Sequence, residues 1–374
     1  MTAQRKLQQV IGIFKERRIA VWGIGRRFFS ALLPVLEASG LVNNVEWLID
    51  CSADKIGTDV SLSGRTITVY GPDILRGQTD NTIIIAAPVD YQTIRKEVQE
   101  KDYLNDVEMI AGAVLTESWY DLCLMNVKKP PEDYRRFQDQ KIPKKIHTFW
   151  FSSDPIPVEY ENCMGTWRRF CPDYEIIVWN LKTYTADDCL YYSQAVQQRQ
   201  WAFASDYARA DIVFREGGIY MDMDVEVVRP LDDLLYNEAY MGFENMEYVE
   251  CGSGFGAVAG SIIIGEIRDV YKTIPFILPD GEQDRTTCPK RYSEVLWKHG
   301  LRKNGGFQLL ENVTVFPFES LTAKSFGSGH IYRTKHTYTI HHHKGSWLPI
   351  DAGMRRDARY DLMKEYLDDG DALP

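Results

Sequence analysis

Short apolar runs separated by helical patterns fill the first third of the chain. Four of these runs predict buried strands, at 19–22, 45–49, 66–69 and 82–86. Between the strands, the apolar spacing of 28–38 and 94–104 predicts helices. Strands that alternate with helices form parallel sheets with right-handed crossovers. The pattern therefore predicts an α/β fold that begins with a Rossmann-like parallel-sheet domain.

A polar segment with paired prolines, Pro130-Pro131, interrupts this alternation at 126–142. Domain boundaries fall in such Pro-bearing linkers. We therefore expect a Rossmann-like accessory domain over 1–125, a linker over 126–142 and a second α/β domain over 143–374. The pattern of the second domain predicts strands at 145–150, 174–179 and 219–228 and helices at 194–216 and 355–367.

Composition restricts the classes of function. Hydrophobic residues make up 44% and charged residues 26% of the 374 positions, which excludes a disordered or fibrous chain. The formal net charge of −10 disfavours nucleic acid as the main partner, because phosphate binding requires a basic surface. The seven cysteines form no Cys-x-x-Cys pair, which predicts a reducing compartment without a disulfide framework or zinc site.

The N-terminus and the apolar segments bear on localisation. The first residues carry too many charges for a secretory signal, and the longest uncharged stretch, 251–265, is too short to span a bilayer. We therefore expect a cytoplasmic protein. An apolar stripe within 5–18, flanked by basic residues, either packs on the chain's own sheet or lies peripherally on the inner face of an anionic membrane.

Acidic residues alternate with apolar ones in the segment after Gly217-Gly218. Along a strand, Asp222, Asp224 and Glu226 would share one face while the residues between them point to the core. Carboxylates at this spacing suit Mg²⁺ or Mn²⁺, which complete their coordination with phosphate and water. The alternative is a solvated strand face with incidental acids.

A charged pair precedes this strand on the predicted helix. Asp206 and Arg209 are three positions apart and therefore lie on one helix face. The functional interpretation is that Arg209 compensates phosphate charge while Asp206 grips sugar hydroxyls. The alternative is an ion pair within the helix.

Four motifs in order carry a resemblance to a known family: Lys141-Ile-Pro-Lys-Lys-Ile-His-Thr-Phe-Trp150, Cys171-Pro-Asp-Tyr-Glu-Ile-Ile-Val-Trp-Asn180, Phe203-Ala-Ser-Asp-Tyr-Ala-Arg209 and Gly217-Gly-Ile-Tyr-Met-Asp-Met-Asp224. They resemble glycosyltransferase family 32, retaining glycosyltransferases with a DXD sugar-binding motif that include initiation mannosyltransferases and capsular polysaccharide transferases. The resemblance implies a GT-A type α/β domain, a nucleotide-diphosphate sugar donor and Mn²⁺ or Mg²⁺. The acceptor that it implies is a glycan or a lipid-linked molecule, as in cell-surface polysaccharide synthesis.

The resemblance also implies roles for individual residues. The implied catalytic set is Asp206, Arg209, Asp222 and Asp224, with Asp224 as the direct metal ligand. The implied donor-binding set is His147, Trp150, Tyr220, Asp222, Ser346 and Trp347, with Trp150 stacked on the base. The glycine-rich segment 251–257 either lines the sugar pocket or forms a flexible loop.

Three adjacent histidines, His341, His342 and His343, begin a segment that resembles the family's terminal His-His-x-x-Gly-Ser-Trp. The resemblance implies that one of them completes the metal shell. On an extended chain His341 and His343 share a face while His342 points away. We expect His341 to be the ligand and retain His342 as the alternative.

A glycine motif in the first domain offers a different function. Gly23-Ile-Gly25 follows a strand and opens a helix, and Asp50 stands near the position of a ribose-binding acid. Phe28, however, occupies the third glycine position. We interpret the motif as a tight turn in a scaffold domain, with NAD or nucleotide-sugar binding as the alternative. The main rival to a transferase is a non-catalytic nucleotide-sugar binding module with a degenerate transferase domain.

Overall fold

The computed structural model describes residues 3–88, 91–132, 134–186, 188–345 and 348–367, and only the backbone of 3–6. The chain forms two compact units. Unit 1 comprises the described residues of Met1–Cys123, Gly327–His330 and Arg355–Pro374. Unit 2 comprises those of Leu124–Phe326 and Ile331–Met354.

The first part of the chain is built on a six-stranded sheet. Its helices are α1 (Ala3–Lys15), α2 (Leu33–Ala38), α3 (Tyr91–Gln99) and α4 (Gly112–Met125). Its strands are β1 (Arg18–Trp22), β2 (Val45–Ile49), β3 (Asp59–Leu62), β4 (Arg65–Tyr70), β5 (Thr82–Ala86) and β6 (Glu108–Ala111). The order is β3-β4-β2-β1-β5-β6, and every neighbouring pair is parallel except β3 and β4. The predicted α/β class and the parallel sheet are confirmed.

The core of unit 1 follows the apolar runs of the sequence. Every residue of β5 is buried, as expected of a parallel strand that is covered on both faces. The N-terminal stripe is also buried, since Leu7 and Phe14 are fully enclosed and Val10 and Ile11 are nearly so. These side chains pack inside the protein, so the interpretation of the stripe as a membrane contact is not supported.

The glycine loop after β1 is closed by Asp50, which follows β2. The Asp50 carboxylate accepts the amides of Ile24 at 2.8 Å and Ser52 at 2.9 Å, and it pairs with Lys55 Nζ at 2.9 Å. Gly23 has a φ of +97°, and a Cβ there would lie 2.7 Å from the ring of a neighbouring proline. The turn therefore requires glycine for its own geometry.

Unit 2 contains a mixed eight-stranded sheet. Its helices are α5 (Val158–Phe170), α6 (Leu190–Gln197), α7 (Trp201–Glu216), α8 (Ile262–Lys272), α9 (Cys288–Lys298) and α10 (Phe318–Leu321). Its strands are β7 (Lys145–Phe149), β8 (Glu175–Trp179), β9 (Gly218–Tyr220), β10 (Val225–Val227), β11 (Ala239–Phe243), β12 (Val249–Glu250), β13 (Phe255–Ala257), β14 (Gln308–Leu309), β15 (Thr314–Phe316) and β16 (Thr339–His341). The order is β14-β15-β11-β13-β9-β7-β8, with β12 paired to β11. The last helix of the chain is α11 (Ile350–Leu367).

Two predicted elements of unit 2 are divided. The helix predicted over 194–216 consists of α6 and α7, because Arg199 adopts a left-handed φ of +53° between them. The strand predicted over 219–228 leaves the sheet after Tyr220, and the chain turns where the Val225 amide donates to Asp222 O at 3.1 Å. Beyond the turn, β10 pairs antiparallel with β16 in a separate two-stranded sheet.

Two further features concern the helices and the cysteines of the chain. Within the described ranges, no helix combines the length and the apolar character needed to cross a bilayer. All seven cysteines are free thiols.

Candidate active site

The acidic motif lies on the turn that follows β9. Asp222 donates its amide to Gly252 O at 2.8 Å, which ties the turn to the segment after β12. The turn brings Asp222 and Asp224 toward each other, whereas Glu226 lies beyond it on β10. The prediction that all three carboxylates share one strand face is therefore wrong, because the chain is not a continuous strand at this point.

Strand pairing brings His341 to the two aspartates. β16 pairs with β10 so that His341 lies opposite Val225. Its Nε2 lies 3.3 Å from Asp224 Oδ1 and 4.0 Å from Asp222 Oδ2. One ligand atom from each of the three residues lies within 4.8 Å of the others, a spacing that allows one metal ion to contact all three.

Each aspartate uses one oxygen within the chain and directs the other toward the imidazole. Asp222 Oδ1 accepts the hydroxyl of Tyr220 at 2.5 Å, and Asp224 Oδ2 accepts the amide of Lys344 at 2.8 Å. The remaining oxygens, Asp222 Oδ2 and Asp224 Oδ1, face His341. Two carboxylate oxygens and one imidazole nitrogen form a donor set that suits a divalent cation such as Mn²⁺.

Mutual charge sets the protonation of this cluster. Burial raises the pKa of Asp224, but the charge and hydrogen bond of His341 and the Lys344 amide hold that pKa below its ordinary value. Burial lowers the pKa of His341, but Asp224 and Glu250 together raise it well above its ordinary value. The surrounding carboxylates thus favour the charged form of this imidazole.

Sequence reasoning missed Glu250, which faces the other nitrogen of the same imidazole. Glu250 is only 5% exposed, and its Oε1 lies 3.5 Å from His341 Nδ1. The same oxygen accepts the amides of Cys251 at 2.9 Å and Gly252 at 2.7 Å. The one sequence signal for Glu250 was its position immediately before the glycine-rich segment 251–257.

Gly252 permits this close approach. A Cβ at this position would lie 2.1 Å from Asp222 Oδ2 and 3.2 Å from His341 Cε1. Real Cβ atoms essentially never come so near to another heavy atom, so any other residue here would displace the Asp222 carboxylate. The glycine-rich segment therefore lies against the acidic motif, while its contact with a sugar stays a prediction.

The other two histidines have different surroundings. His342 Nε2 lies 3.2 Å from Glu226 Oε2. His343 lies against His341 with ring centroids 4.2 Å apart, and its Nε2 donates to Lys324 O at 3.0 Å. As expected, His341 and His343 share a face and His342 points away from them.

Arg209 connects α7 to the acidic motif. Its Nη2 lies 3.1 Å from Asp206 Oδ1 and 3.6 Å from Asp222 Oδ1. Ser205 fixes the guanidinium through its hydroxyl at 2.8 Å and its carbonyl oxygen at 3.1 Å. The guanidinium also lies over the Tyr220 ring, 4.9 Å from its centroid. Arg209 therefore bridges two carboxylates from separate elements, which an ion pair within the helix does not explain.

Asp206 is the more buried of the two aspartates that Arg209 contacts. Burial raises the pKa of Asp206 to about 6, although the charge of Arg209 opposes the shift. Cys288, the first residue of α9, lies beside the same guanidinium, with Sγ 3.8 Å from Arg209 Nη1. Sequence reasoning gave no role to this cysteine.

The aromatic residue predicted to stack on the donor base follows β7. Trp150 is partly exposed, its indole N–H donates to Asp154 O at 2.7 Å, and its ring meets Tyr160 edge-on at 6.0 Å. Burial and the negative charge of Asp224 raise the pKa of Tyr160 to about 12, so Tyr160 lies within electrostatic reach of the motif. Tyr160 thus contacts Trp150 and also responds to the charge of Asp224.

His147 is fully buried. Its Nδ1 accepts the indole N–H of Trp179 at 3.1 Å, and its Nε2 donates to Gly217 O at 2.8 Å. Both ring nitrogens thus hold β7 to its surroundings, and a contact between His147 and the donor stays a prediction. Ser346 and Trp347, which the resemblance also assigns to the donor, lie outside the described residues.

The match to a family and to known proteins is confined to part of the chain. Residues 157–241 match the glycosyltransferase sugar-binding region containing DXD motif. The chain is 30% identical over 108 residues to inositol phosphoceramide mannosyltransferase 3 of Schizosaccharomyces pombe, covering 28% of this chain and 30% of that protein. Inositol phosphoceramide mannosyltransferase 1 of the same yeast is 27% identical over 109 residues, covering 27% of this chain and 34% of its own length. The chain thus spans about a third of the curated relatives it matches.

Two solved structures are similar to this chain at low identity. The PaToxG glycosyltransferase has a TM-score of 0.36 and 16% identity, covering 44% of this chain and 71% of its own. A glycosyltransferase involved in the glycosylation of the major capsid of PBCV-1 has a TM-score of 0.31 and 12% identity, covering 59% of this chain and 98% of its own. The resemblance predicted from the motifs is confirmed by the family match: within residues 157–241 the chain carries the glycosyltransferase sugar-binding region that contains the DXD motif.

Proposed function

We propose that this protein is a divalent-metal-dependent, retaining glycosyltransferase of GT-A type that transfers a sugar from a nucleotide diphosphate to a glycan or lipid-linked acceptor. The observation that carries the proposal is the cluster of Asp222, Asp224 and His341, with ligand atoms within 4.8 Å of one another. Two relatives named as mannosyltransferases support transfer of a hexose. The retaining course, the GT-A type and a role in surface polysaccharide synthesis rest on the resemblance. A cytoplasmic location rests on the pattern of the cysteines and of the apolar segments.

The three ligands fit Mn²⁺ or Mg²⁺. Asp222 and Asp224 each keep one oxygen directed at His341, while Tyr220 and Lys344 fix their other oxygens. A divalent cation, when bound, supplies Lewis-acid stabilisation of the charge on the departing diphosphate. His341 is our choice among the three histidines, because His342 pairs with Glu226 and His343 donates Nε2–H to a backbone carbonyl.

Asp206 and Arg209 hold the transferred sugar in this proposal. Arg209 is buried, and Ser205 fixes its fork, so its charge is preorganised before a donor arrives. A fixed positive charge in a site that excludes water favours negative charge that develops during bond breaking. The Asp206 carboxyl, adjacent to that guanidinium, is placed to accept a sugar hydroxyl.

Trp150 provides the surface for the base of the donor. The indole is oriented by its hydrogen bond to Asp154 O and by its edge contact with Tyr160. Because the indole is already oriented, the stacking of a base on it costs little additional side-chain entropy of Trp150.

A screen of nucleotide sugars with the full-length protein tests the proposal. Each donor is incubated with Mn²⁺, with Mg²⁺ or with EDTA, and nucleotide release and thermal shift are followed together. We expect one donor class to give metal-dependent nucleotide release and a stabilisation that requires the same metal. Asp173→Asn serves as the control variant, because Asp173 is an exposed acid that pairs with Lys144.

The results separate the transferase from its rival. Nucleotide sugars that stabilise the protein without nucleotide release, also in the presence of candidate glycan acceptors, would identify a binding module instead. Release that persists unchanged in EDTA would contradict the metal-dependent mechanism. The intact set of Asp206, Arg209, Asp222 and Asp224 favours catalysis over the binding module.

A further inference from the structure

The two nitrogens of the His341 imidazole face different carboxylates, and the one that faces Nδ1 does not belong to the DXD motif. Its Nε2 faces Asp224 at 3.3 Å, whereas its Nδ1 faces Glu250 Oε1 at 3.5 Å. His341 is 8% exposed. Among the described residues, Nδ1 has no partner at hydrogen-bond geometry. A buried imidazole nitrogen needs such a partner, and Glu250 offers the oxygen that faces it.

Glu250 is fixed before any ligand binds. It ends β12, which pairs with β11 so that Glu250 lies opposite Gly242. Its Oε1 accepts the successive amides of Cys251 and Gly252, at 2.9 and 2.7 Å. The carboxylate therefore has one rotamer and one oxygen directed at the imidazole. The ring of His343 lies 4.2 Å from that of His341 at a tilt of 35°, and this contact restricts rotation of the His341 ring.

We propose that Glu250 is a positioning residue, which receives Nδ1–H of His341 and thereby leaves the lone pair of Nε2 free for the cation that Asp222 and Asp224 would share. This inference rests on the proposed function, because it concerns the metal site of that transferase. Metal-bound histidines commonly donate their other nitrogen to a carboxylate, which fixes the ring and the tautomer. The 3.5 Å contact would shorten to a hydrogen bond when Nε2 serves as a ligand.

Glu250 has a second conceivable role, as a direct ligand. Glu250, His341 and His343 also place ligand atoms within 4.8 Å of one another. However, Glu250 Oε1 already accepts two amides, and His343 Nε2 donates to Lys324 O. These hydrogen bonds favour the positioning role over a second cation site, and the experiment below separates the two.

The experiment measures Mn²⁺ binding to the full-length protein without donor, by electron paramagnetic resonance of free Mn²⁺ and by calorimetry. The variants are Glu250→Ala, Glu250→Gln and Glu250→Asp. Glu319→Gln is the matched control, because Glu319 is equally buried and pairs with Lys129. Loss of an outer partner of a ligand typically weakens metal binding by about 10–100-fold. We expect that loss for Glu250→Ala, with one Mn²⁺ per chain in the wild type and unchanged affinity in Glu319→Gln.

The two conservative variants keep the test decisive if Glu250→Ala does not fold. The glutamine keeps an acceptor oxygen at the same reach, whereas the aspartate keeps the charge but withdraws the oxygen. If positioning is the role, Glu250→Gln binds Mn²⁺ more tightly than Glu250→Asp. The opposite order would assign the effect to charge alone and would overturn the inference.

Three further results would also overturn it. Wild-type affinity in Glu250→Ala would show that His341 needs no such partner. Two Mn²⁺ per wild-type chain and one in the variants would make Glu250 a ligand. A wild-type protein that binds no Mn²⁺ would remove the metal site itself, and with it the proposed function, whereas the first two results would leave that function standing.

Discussion

In unit 1 the carboxylate of Asp50 follows β2 and accepts two backbone amides and the ammonium of Lys55, all at 2.8–2.9 Å. In unit 2 the carboxylates of Asp222 and Asp224 follow β9, and each accepts one donor of the chain other than His341. Both groups come directly after a strand and near a glycine segment. Sequence spacing alone made both candidates for ligand binding.

The difference lies in how completely each carboxylate is satisfied. Three donors occupy most of the roughly four acceptor sites of the Asp50 carboxylate and hold the glycine loop, which supports the interpretation of the motif as a structural turn. Asp222 and Asp224 instead share one imidazole, and Asp222 also lies 3.6 Å from Arg209. A strand-end acid satisfied by its own chain is structural, whereas acids that share too few donors indicate a site for a cation.

The largest effect is expected from Asp224→Asn. Removing an outer partner of a metal ligand costs about 10–100-fold, so removal of a charged ligand should lower metal-dependent turnover by more than about 100-fold. The fold should survive, because asparagine retains an oxygen for the Lys344 amide. Turnover is measured as Mn²⁺-dependent nucleotide release, with circular dichroism to check folding. Activity near that of the wild type would show that Asp224 is no metal ligand, and Asp224 would then be a structural acid like Asp50.

Arg209→Lys should have the next largest effect. Lysine keeps the positive charge but loses the fork that joins Asp206 and Asp222, so the preorganised site is disturbed rather than neutralised. We expect kcat/KM for nucleotide release to fall by roughly 100-fold. Arg215→Lys is the control on the same helix, since Arg215 is half-exposed and pairs only with Asp211 among the described residues. An equal loss in both variants would point to damage of α7 instead of the site.

Trp150→Ala should weaken binding of the donor, because only the stacking of its base on the indole is lost. Stacking of a base on an aromatic ring contributes about 1–3 kcal/mol, which corresponds to roughly 5- to 150-fold in affinity. The free nucleoside diphosphate should lose as much affinity as the whole nucleotide sugar, which calorimetry can establish. Phe29→Ala, an exposed aromatic in unit 1, provides the control. Unchanged nucleotide affinity would place the base elsewhere.

Apolar runs predicted β1, β2, β4 and β5 in unit 1 and β7 and β8 in unit 2, because a buried parallel strand is a continuous apolar segment. The short strands β3, β6 and β11 to β16 were not predicted. The split of 219–228 was not predictable from the same pattern. Residues 219, 221, 223, 225 and 227 alternate as in a strand, yet no glycine or proline marks the turn at 223–224. The turn exists because β10 pairs with β16, which comes more than a hundred residues later in the sequence.

The candidate site was predictable only where a short motif carried it. Asp206, Arg209, Asp222, Asp224 and His341 lie within motifs and are brought together as expected. Glu250 reaches the site through pairing of β12 with β11 and through its contact with His341, and neither pairing nor contact leaves a local pattern. Contacts between residues distant in sequence are therefore the part that the sequence did not reveal.

The smallest effect on turnover is expected from Asp50→Asn, and it tests the structural side of the comparison. Loss of the ion pair with Lys55 and of one buried acceptor should lower the free energy of unfolding by about 1–3 kcal/mol at pH 7. Nucleotide release should stay unchanged, because the hydrogen bonds of Asp50 hold the glycine loop of unit 1 and Asp50 belongs to no part of the candidate site. Urea unfolding of both proteins gives the difference, and Asp54→Asn serves as an exposed control.

The pH dependence of that difference has a definite sign. Burial raises the pKa of Asp50, but the hydrogen bonds of Lys55, Ser52 and Ile24 outweigh it and hold the pKa below the ordinary value of 3.8. A depressed carboxyl pKa contributes stability above 3.8 that is lost as the pH falls through the folded value. The gap between wild type and Asp50→Asn should therefore be constant from pH 7 to about pH 5 and shrink below 3.8. A gap that grows on acidification would mean that Asp50 is not held by these donors, and the distinction between the two strand-end acids would fail.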